Sequence, residues 1–449
     1  MRVAIVGAGV TGLVAARALL ARGHAVDLYE RWPDVAGQAS AFDLGNGVYL
    51  DRYYHHLFES DRYMIELHEE LLPGQLEWHR STVGMYARGR IWPFTTPRDL
   101  LSYGPLPLAD RVRLGLAVVR LTRRDDWERM DDISAAEWLR QACGERAYRG
   151  VWLPLLLGKF GDDAPTIPLA WLWSKLTLRR RLEGAKAGRE LLGYPSGSFR
   201  AICVALADDI RAKGGRIHVD REVVAIEPAT AADARDGGWR LRTAGPGAYR
   251  RPAGTSAADP ALDATADLVL LTTPTHIARS LAPWPGEYLK RLDDWTYRTA
   301  VVLLLELRRP FSDTYWVNVG EADVPFLGVV EHTNLVPAER YPARYLYVSN
   351  YVAANDPLTR LDTNGLLAHY VQQLARMGAG FGEDDVMRAW SFREDAAQPI
   401  PRLGNRHRIL PYATPLPGVF VANTTQIYPE DRGTNYSVRL GLEVAKAIG

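Results

Sequence analysis

Cysteine is nearly absent. Cys143 and Cys203 are the only two in 449 residues, and neither stands in a C-x-x-C or metal-type spacing. That excludes a disulfide-stapled fold and leaves a reduced, cytoplasmic protein as the expectation. Net charge is scarce as well. Fifty-four basic residues face 53 acidic ones, +1 overall, which is no field to gather nucleic acid or an anionic membrane. No apolar run reaches the roughly 20 residues of a membrane span; Ala300–Leu305 is a buried strand at most. The first residues already read as a folding strand, so no signal peptide is expected. H-E-x-x-H, P-loop and G-x-S-x-G signatures are missing, and no His-plus-Cys spacing suggests a metal. Repeats at solenoid periods are missing too. What is present, 47% hydrophobic and 24% charged residues, suits a globular chain long enough for two domains.

The N-terminus is the richest region. Met1–Val6 reads as a short buried strand, followed without a gap by Gly7-Ala8-Gly9-Val10-Thr11-Gly12. Leu13–Arg22 reads as a helix that Gly23 ends, and His24–Tyr29 as a second strand closing on Glu30. A G-x-G-x-x-G between strand and helix, with an acid at the end of the next strand, is a dinucleotide fingerprint. Gly7 permits the tight turn, Gly9 admits a pyrophosphate, and Gly12 allows close helix–strand packing. Phosphates favour the helix N-terminus, where unpaired N–H groups and the dipole attract negative charge. Glu30 accepts hydrogen bonds from ribose hydroxyls and repels a 2′-phosphate, so the adenosine should lack one. The fingerprint segment extends to about Phe42.

An aromatic and histidine-rich stretch, Tyr49-Leu-Asp-Arg-Tyr-Tyr-His-His-Leu-Phe58, comes next. Residues 61–189 read mostly as helices, with amphipathic spacing in Tyr63–Leu72, Ala109–Leu121 and Ser134–Cys143. Ser134 and Glu137 form a capping-box signature. Ala109–Leu121 reads as a core-facing helix, since such spacing is shared by any packed helix. Ser198–Lys213 is a further helix, and Arg216–Glu227 a strand-pair element. Residues 228–266 are rich in Ala, Gly, Pro and Asp, with Trp239–Thr243 as the one clear strand; this reads as a hairpin with a flexible loop. Asp267–Pro274 is a buried strand. Strand-like runs at Ala300–Leu307, Thr314–Val319, Phe326–Glu331 and Tyr345–Tyr351 suggest a second, mainly antiparallel sheet. Leu366–Met377 is a helix, Gly418–Asn423 a strand and Asn435–Ile448 a terminal helix.

Together these pieces resemble the FAD-dependent amine oxidase superfamily, which holds protoporphyrinogen oxidase and phytoene-desaturase-like enzymes. The resemblance spans the chain. Its motifs are the N-terminal fingerprint, Arg31–Phe42, Tyr194-Pro-Ser-Gly-Ser-Phe199, the strand ending Thr272-Thr273-Pro274, and Ile427-Tyr-Pro-Glu-Asp-Arg-Gly-Thr-Asn-Tyr-Ser-Val438. It implies FAD. Gly7, Gly9, Val10, Thr11 and Gly12 would hold the pyrophosphate, and Glu30, followed by Arg31, the adenosine ribose. Gly37, Gln38 and Ala39 would line the ribityl chain, and Val223 would meet the adenine. Thr273, Asn423, Asp431, Thr434, Asn435 and Tyr436 would surround the flavin. Three positions depart from the pattern: Gly37-Gln38 and Gly197-Ser198 stand where glycine pairs are usual, and Asn423-Thr424 where Gly-Asp is common. No second G-x-G-x-x-G follows a strand, so electrons should come from substrate rather than from NAD(P)H.

The implied architecture is α/β: a doubly wound, Rossmann-like (GR2-type) FAD domain with an interleaved α+β substrate domain. Residues 1–60, 190–290 and 400–449 would form the first, and 61–189 and 291–399 the second. For catalysis, His55 and His56 stand out. Imidazole suits proton transfer near neutral pH, and alternation should aim only one of two neighbours at a given site. Lys159 is a weaker candidate, able to position water or an anionic group. Arg179-Arg180-Arg181 reads as a basic helix end, Glu331–Asn334 as a turn that could reach a cavity, and Arg406-His407-Arg408 as surface. Trp171, Trp173, Trp295 and Trp316 could wall an apolar pocket or simply fill the core. The expected reaction is hydride abstraction from a C–N or C–C unit of a small, possibly bulky and hydrophobic, molecule, with oxygen or a carrier reoxidising the flavin. Asp51–Phe58 also resembles a histidine-bearing stretch of UDP-galactopyranose mutase, so the alternative is a redox-neutral isomerase acting on a sugar nucleotide. A non-catalytic FAD-containing subunit is the third reading.

Overall fold

The structure is a computed structural model that describes residues 1–45, 47–180, 190–229, 238–245, 247, 263–378 and 380–449. β1 (Arg2–Val6) and β2 (Ala25–Tyr29) flank α1 (Val10–Ala21). They anchor a parallel five-stranded sheet ordered Arg216–His218, β2, β1, Leu268–Leu271, Val419–Val421. Its strands therefore come from the beginning, middle and end of the chain. The period of two along β1 builds two cores. Val3 and Ile5 join the cluster under α1, Arg200–Ala212 and Thr434–Ile448, while Ala4 and Val6 join the one that includes Val223, Ile226 and Leu241. One face is thus covered by helices and the other by an antiparallel sheet of Glu222–Pro228, Trp239–Ala244 and Ala264–Ala266. At Gly441 the terminal helix crosses α1 so closely that a Cβ would lie 2.7 Å from the Thr11 carbonyl oxygen.

A second, seven-stranded sheet runs Val386–Pro399, Tyr297–Leu307, Arg344–Val352, Gly328–Glu331, Trp316–Val319, Val83–Ala87, Arg90–Pro93. It is antiparallel except where Trp316–Val319 lies parallel to Val83–Ala87. Val301, Leu303 and Leu305 pack with Leu366, Tyr370 and Leu374 of the Thr363–Met377 helix, while Val302 and Leu304 face the first core. A third cluster, containing Leu114, Leu139, Phe160 and Trp171, holds the helical part together.

Several expectations need correction. Residues 61–189 open with the expected helix, Arg62–Leu71, but the next three elements, Leu76–Arg80, Val83–Ala87 and Arg90–Pro93, are strands. The last two form a hairpin about Arg88-Gly89, both at positive φ (52° and 71°), the geometry that matches strand twist. Arg216–Glu227 is no strand pair, because Arg216–His218 joins the parallel sheet and Glu222–Pro228 the antiparallel one. Ala300–Leu305 belongs to an eleven-residue strand. Val386–Pro399, fourteen residues long, carried no expectation at all. Ser134 accepts from the Glu137 N–H at 3.4 Å, as the capping signature implies. Most of the loop in 228–266, namely 230–237, 246 and 248–262, lies outside the described residues.

Candidate active site

Four strands of the parallel sheet end on one cavity of about 1020 Å³, at the upper end of ligand pockets. Gly7, Glu30, Thr272 and Asn423 follow those strand ends in its wall, where open α/β sheets gather ligands. Gly7 adopts φ +107°, and a Cβ there would meet Thr272 Oγ1 at 2.6 Å. A Cβ on Gly12 would lie 2.0 Å from the Gly7 carbonyl oxygen, whereas one on Gly9 would meet nothing within 4 Å. Two glycines therefore close the turn and the third opens it to the cavity. Gly9 is also the N-cap of α1, which has no side-chain cap and no acid in its first turn. Its leading N–H groups suit a phosphate.

Glu30 Oε2 accepts from the Ala8 N–H at 2.8 Å and Oε1 from the Trp32 N–H at 3.0 Å. Each oxygen keeps a lone pair for a hydroxyl donor. Burial raises its pKa against those two bonds. Ala36 sits at φ +97°, a left-handed conformation that favours glycine, and its N–H bonds the Ala8 carbonyl at 2.9 Å. Gly37 follows at φ +55°. The strained turn thus begins one residue before the expected Gly37-Gln38 departure. Gln38 donates to the Ala396 carbonyl at 3.1 Å, fastening this segment to the long Val386–Pro399 strand. Ser198, where a glycine is usual, also takes positive φ (74°).

Of the residues expected at the cofactor, Gly7, Gly9, Val10, Thr11, Glu30, Arg31, Gly37, Gln38, Ala39, Val223, Thr273, Asn423 and Thr434 line the cavity together. Gly12, Asp431, Asn435 and Tyr436 are not in its wall. Gly12 packs behind the turn. Asn435 Oδ1 accepts from the Met64 N–H at 3.1 Å, and Tyr436 is buried beneath the Arg439 guanidinium. Asp431 turns away to Lys159 at 2.9 Å and Lys175 at 2.8 Å, with Gln398 donating at 3.1 Å. Burial pushes the Asp431 carboxyl up, but the two lysines and Arg432 hold it well below the usual range. Lys159 is spent on this ion pair rather than on the cavity.

The far end of the cavity is built from side chains. Arg52, Tyr53, His55, Glu394 and Arg432 line it. His55 lies against Phe199, centroids 5.4 Å apart, and its Nδ1 has no protein partner. Burial and then the Arg432 charge lower its pKa to about 4, so it is neutral near pH 7. The Nε atoms of Arg52 and Arg432 are likewise unpartnered, although Arg432 Nη2 donates to the Tyr351 hydroxyl at 2.6 Å. His56 points elsewhere, its Nδ1 3.1 Å from the Tyr315 hydroxyl and its ring edge-on to Phe58. Arg52–His56 is a loop rather than a strand, yet the two imidazoles still diverge.

Asp51 holds that loop. Its buried carboxylate accepts from the Tyr194 hydroxyl at 2.7 Å and the Phe199 N–H at 3.1 Å, and its carbonyl from the Tyr347 hydroxyl at 2.6 Å. Burial raises its pKa to about 7 against the first two bonds. Tyr194 and Phe199 belong to the Tyr194–Phe199 motif, which therefore steadies the histidine loop. Sequence reasoning missed Asp51 in this role, and also Arg52, Glu394 and Arg432. Arg432 stood inside the terminal motif. Glu394 was reachable through the alternation of Arg388, Trp390 and Phe392, which pair with Glu306, Leu304 and Val302.

The remaining candidates are structural. His332 is buried with Nε2 2.7 Å from the Tyr341 hydroxyl, and Glu331 caps the Phe311 and Ser312 N–H groups. Arg406 pairs with Asp131 and Asp132, and Arg408 with Asp294, so that stretch anchors ion pairs. Trp171 and Trp173 lie in the helical core, while Trp316 packs against Tyr54. Trp295 is buried. Arg181 and the side chains of Arg179 and Arg180 lie outside the described residues. Among the described residues no group of acids, histidines or cysteines could hold a metal ion, and no helix is long and apolar enough to cross a membrane.

Comparison with known proteins follows the same lines. The model of flavin containing amine oxidoreductases matches residues 10–448. The chain is 26% identical over 234 residues to 15-cis-phytoene desaturase of Synechococcus elongatus, covering 48% of this chain and 49% of that protein. It is 26% identical over 256 residues to a probable zeta-carotene desaturase of the same organism, 51% of each. The chain thus matches about half the length of these curated relatives. A putative protoporphyrinogen oxidase from Exiguobacterium sp. 255-15 superposes with TM-score 0.75 at 16% identity, over 100% of this chain and 98% of that one. Reduced UDP-galactopyranose mutase superposes with TM-score 0.73 at 17% identity, over 100% and 95%. At such identities the superpositions show the fold.

Proposed function

The chain belongs to the family of flavin containing amine oxidoreductases, and from that premise we propose that it is an FAD-dependent oxidoreductase acting on a C–N or C–C unit of a small molecule. The cavity fits the cofactor: an open glycine turn, an uncapped helix start and a ribose acceptor stand in one wall. Bound there, the flavin would supply a two-electron acceptor for a hydride. The protein's own part begins with Gly9 and the first turn of α1, which hold the pyrophosphate. Glu30 takes the adenosine ribose, and Gly37, Gln38 and Ala39 hold the ribityl chain against the Val386–Pro399 strand.

The observation that carries the catalytic reading is His55, neutral, half-buried and unpartnered at Nδ1 in the same cavity wall. Oxidation of a CH–NH or CH–CH unit releases a hydride and a proton. His55 accepts the proton, and the neighbouring Arg432 charge disfavours its keeping it. Asp51, Tyr194 and Phe199 fix the loop that aims it. The electrons leave to oxygen or to a carrier. Desaturation of a hydrophobic molecule is the substrate class that the phytoene and zeta-carotene desaturase likenesses support. A second reading, a sugar nucleotide isomerised without net oxidation, is favoured by the two guanidinium Nε groups left unpartnered in the wall.

Anaerobic absorbance of the purified holoprotein, mixed in turn with amines, polyenes, porphyrinogens and nucleotide sugars, tests both. Bleaching of the oxidised flavin by one compound supports the oxidoreductase and identifies its substrate class. Flavin that only dithionite reduces, followed by turnover of a nucleotide sugar, overturns it in favour of the isomerase.

A further inference from the structure

A second cavity, of about 20 Å³, lies beside Asp431. Three elements meet there: the helix Leu169–Arg180, the loop before the Tyr297–Leu307 strand, and the end of Val386–Pro399. Trp171, Trp295 and Gln398 line it from those elements and are 7, 6 and 2% exposed. The Nε1 of each indole and the Oε1 of Gln398 have no hydrogen-bond partner among the described residues. The rest of these side chains is engaged. Phe160 stands edge-on to the Trp171 ring, centroids 4.8 Å apart, and the Arg408 guanidinium covers the Trp295 ring at 4.4 Å. Gln398 spends its amide nitrogen on the Pro399 carbonyl at 3.0 Å and on Asp431 Oδ1 at 3.1 Å. Its oxygen, an acceptor only, is what remains.

Other groups in this wall are already bonded. The Thr425 hydroxyl donates to Asn423 Oδ1 at 2.8 Å, the Tyr428 hydroxyl donates to Asp131, and Asn405 Oδ1 accepts from the Arg402 N–H at 3.3 Å. Arg432 borders both cavities, and its charge acts on His55 in the large one. The unspent set peculiar to the small cavity is therefore two donors and one acceptor, and that set selects its ligand. Buried polar groups are satisfied in native interiors, by ordered water where no protein group reaches them. An anion would face the Gln398 oxygen and the Asp431 carboxylate. A cation would face two indole N–H groups. A neutral molecule that accepts two hydrogen bonds and donates one suits all three atoms. About 20 Å³ admits one water, which needs about 10–15 Å³, and leaves no room for a larger molecule.

We propose that Trp171, Trp295 and Gln398 hold one resident water, independently of the reaction proposed above. It bridges the helical part to the second sheet and steadies the bond from Gln398 to Asp431. Diffraction from crystals of the flavin-loaded protein soaked in sodium bromide tests the ligand. The expected result is a peak of water height within about 2.7–3.2 Å of Trp171 Nε1, Trp295 Nε1 and Gln398 Oε1, with no anomalous signal from bromine. Absence of a peak overturns the proposal. So does a bromine signal at that place, which would make the ligand an anion. Exchange of the Trp171 indole proton with solvent, followed by NMR of the flavin-loaded protein, tests the sharing. Trp295→Phe removes one tie from the water while Trp171 keeps its own N–H. The Trp171 proton should then exchange about tenfold faster, with flavin content retained. If Trp295→Phe does not fold, Trp171→Phe read at the Trp295 indole proton serves the same purpose. An unchanged exchange rate would show that the two indoles share no ligand, and would overturn the proposal as well.

Discussion

The two ends of the large cavity are built on different principles. At the nucleotide end, Gly7, Gly9, Glu30 and Ala36–Ala39 come from one stretch of some thirty residues and present mainly backbone. At the other end, Arg52, His55, Glu394 and Arg432 come from three distant segments and present side chains. The first end is specified by where a Cβ is forbidden, the second by which side chains meet. Damage at the first should show in folding and cofactor retention, and damage at the second in turnover.

The largest effect should separate glycines within the first end. Gly12→Ala puts a Cβ onto the Gly7 carbonyl, a clash with backbone that costs about 3 kcal/mol or more; thermal unfolding should show a sharply lower Tm or no soluble protein. Gly9→Ala meets no protein atom within 4 Å, so its apoprotein should unfold like wild type while flavin absorbance is lost. Equal loss of stability in both variants would break the division between closing and opening glycines.

Next in size is the pair of neighbouring histidines. His55→Gln should slow flavin reduction by substrate about 10²–10⁴-fold with flavin content unchanged, as stopped-flow absorbance would record. His56→Gln should leave the rate within a few-fold and lower stability by about 1 kcal/mol through loss of its bond to Tyr315. Comparable rate losses at both would erase the distinction between cavity wall and core.

Asp51 joins stability to the side-chain end. Its folded pKa of about 7 stands above the ordinary carboxylate value, so between about pH 4 and 7 the folded state holds more protons than the unfolded one. Its contribution must therefore fall as pH rises through that window, by at most about 1.4 kcal/mol per pH unit. Asp51→Asn should flatten that slope in denaturant titrations across pH and also slow flavin reduction by displacing the His55 loop. An unchanged slope would show that the carboxylate stays ionised when folded.

The smallest expected effect sharpens the backbone end. Ala36 at φ +97° is strained, and Ala36→Gly should raise stability by about 1 kcal/mol, read from the urea midpoint. A lower midpoint would mean that the methyl group contributes more by packing than it costs in conformation.

Legibility divides in the same way. The glycine turn, Glu30 and the strand–helix–strand unit could be read because their residues are close in sequence and the constraint is local. Val83–Pro93 is not legible as strands, because a hairpin of mixed burial shows little period-two pattern. Asp431 and Lys159 were each singled out, yet their meeting as an ion pair, which takes both away from the cavity wall, leaves no trace in spacing.

By itself the sequence determined a glycine turn between strand and helix, the acid that ends the next strand, and a terminal segment returning to the same sheet. These follow from dihedral freedom and strand periodicity over a few residues. Only the tertiary structure decided that His55 rather than His56 faces the cavity, that Asp51 holds it there, and that Arg52, Glu394 and Arg432 complete that wall. Those choices depend on which distant side chains share one buried space, where desolvation and proximity set charge and access, and no local rule encodes them.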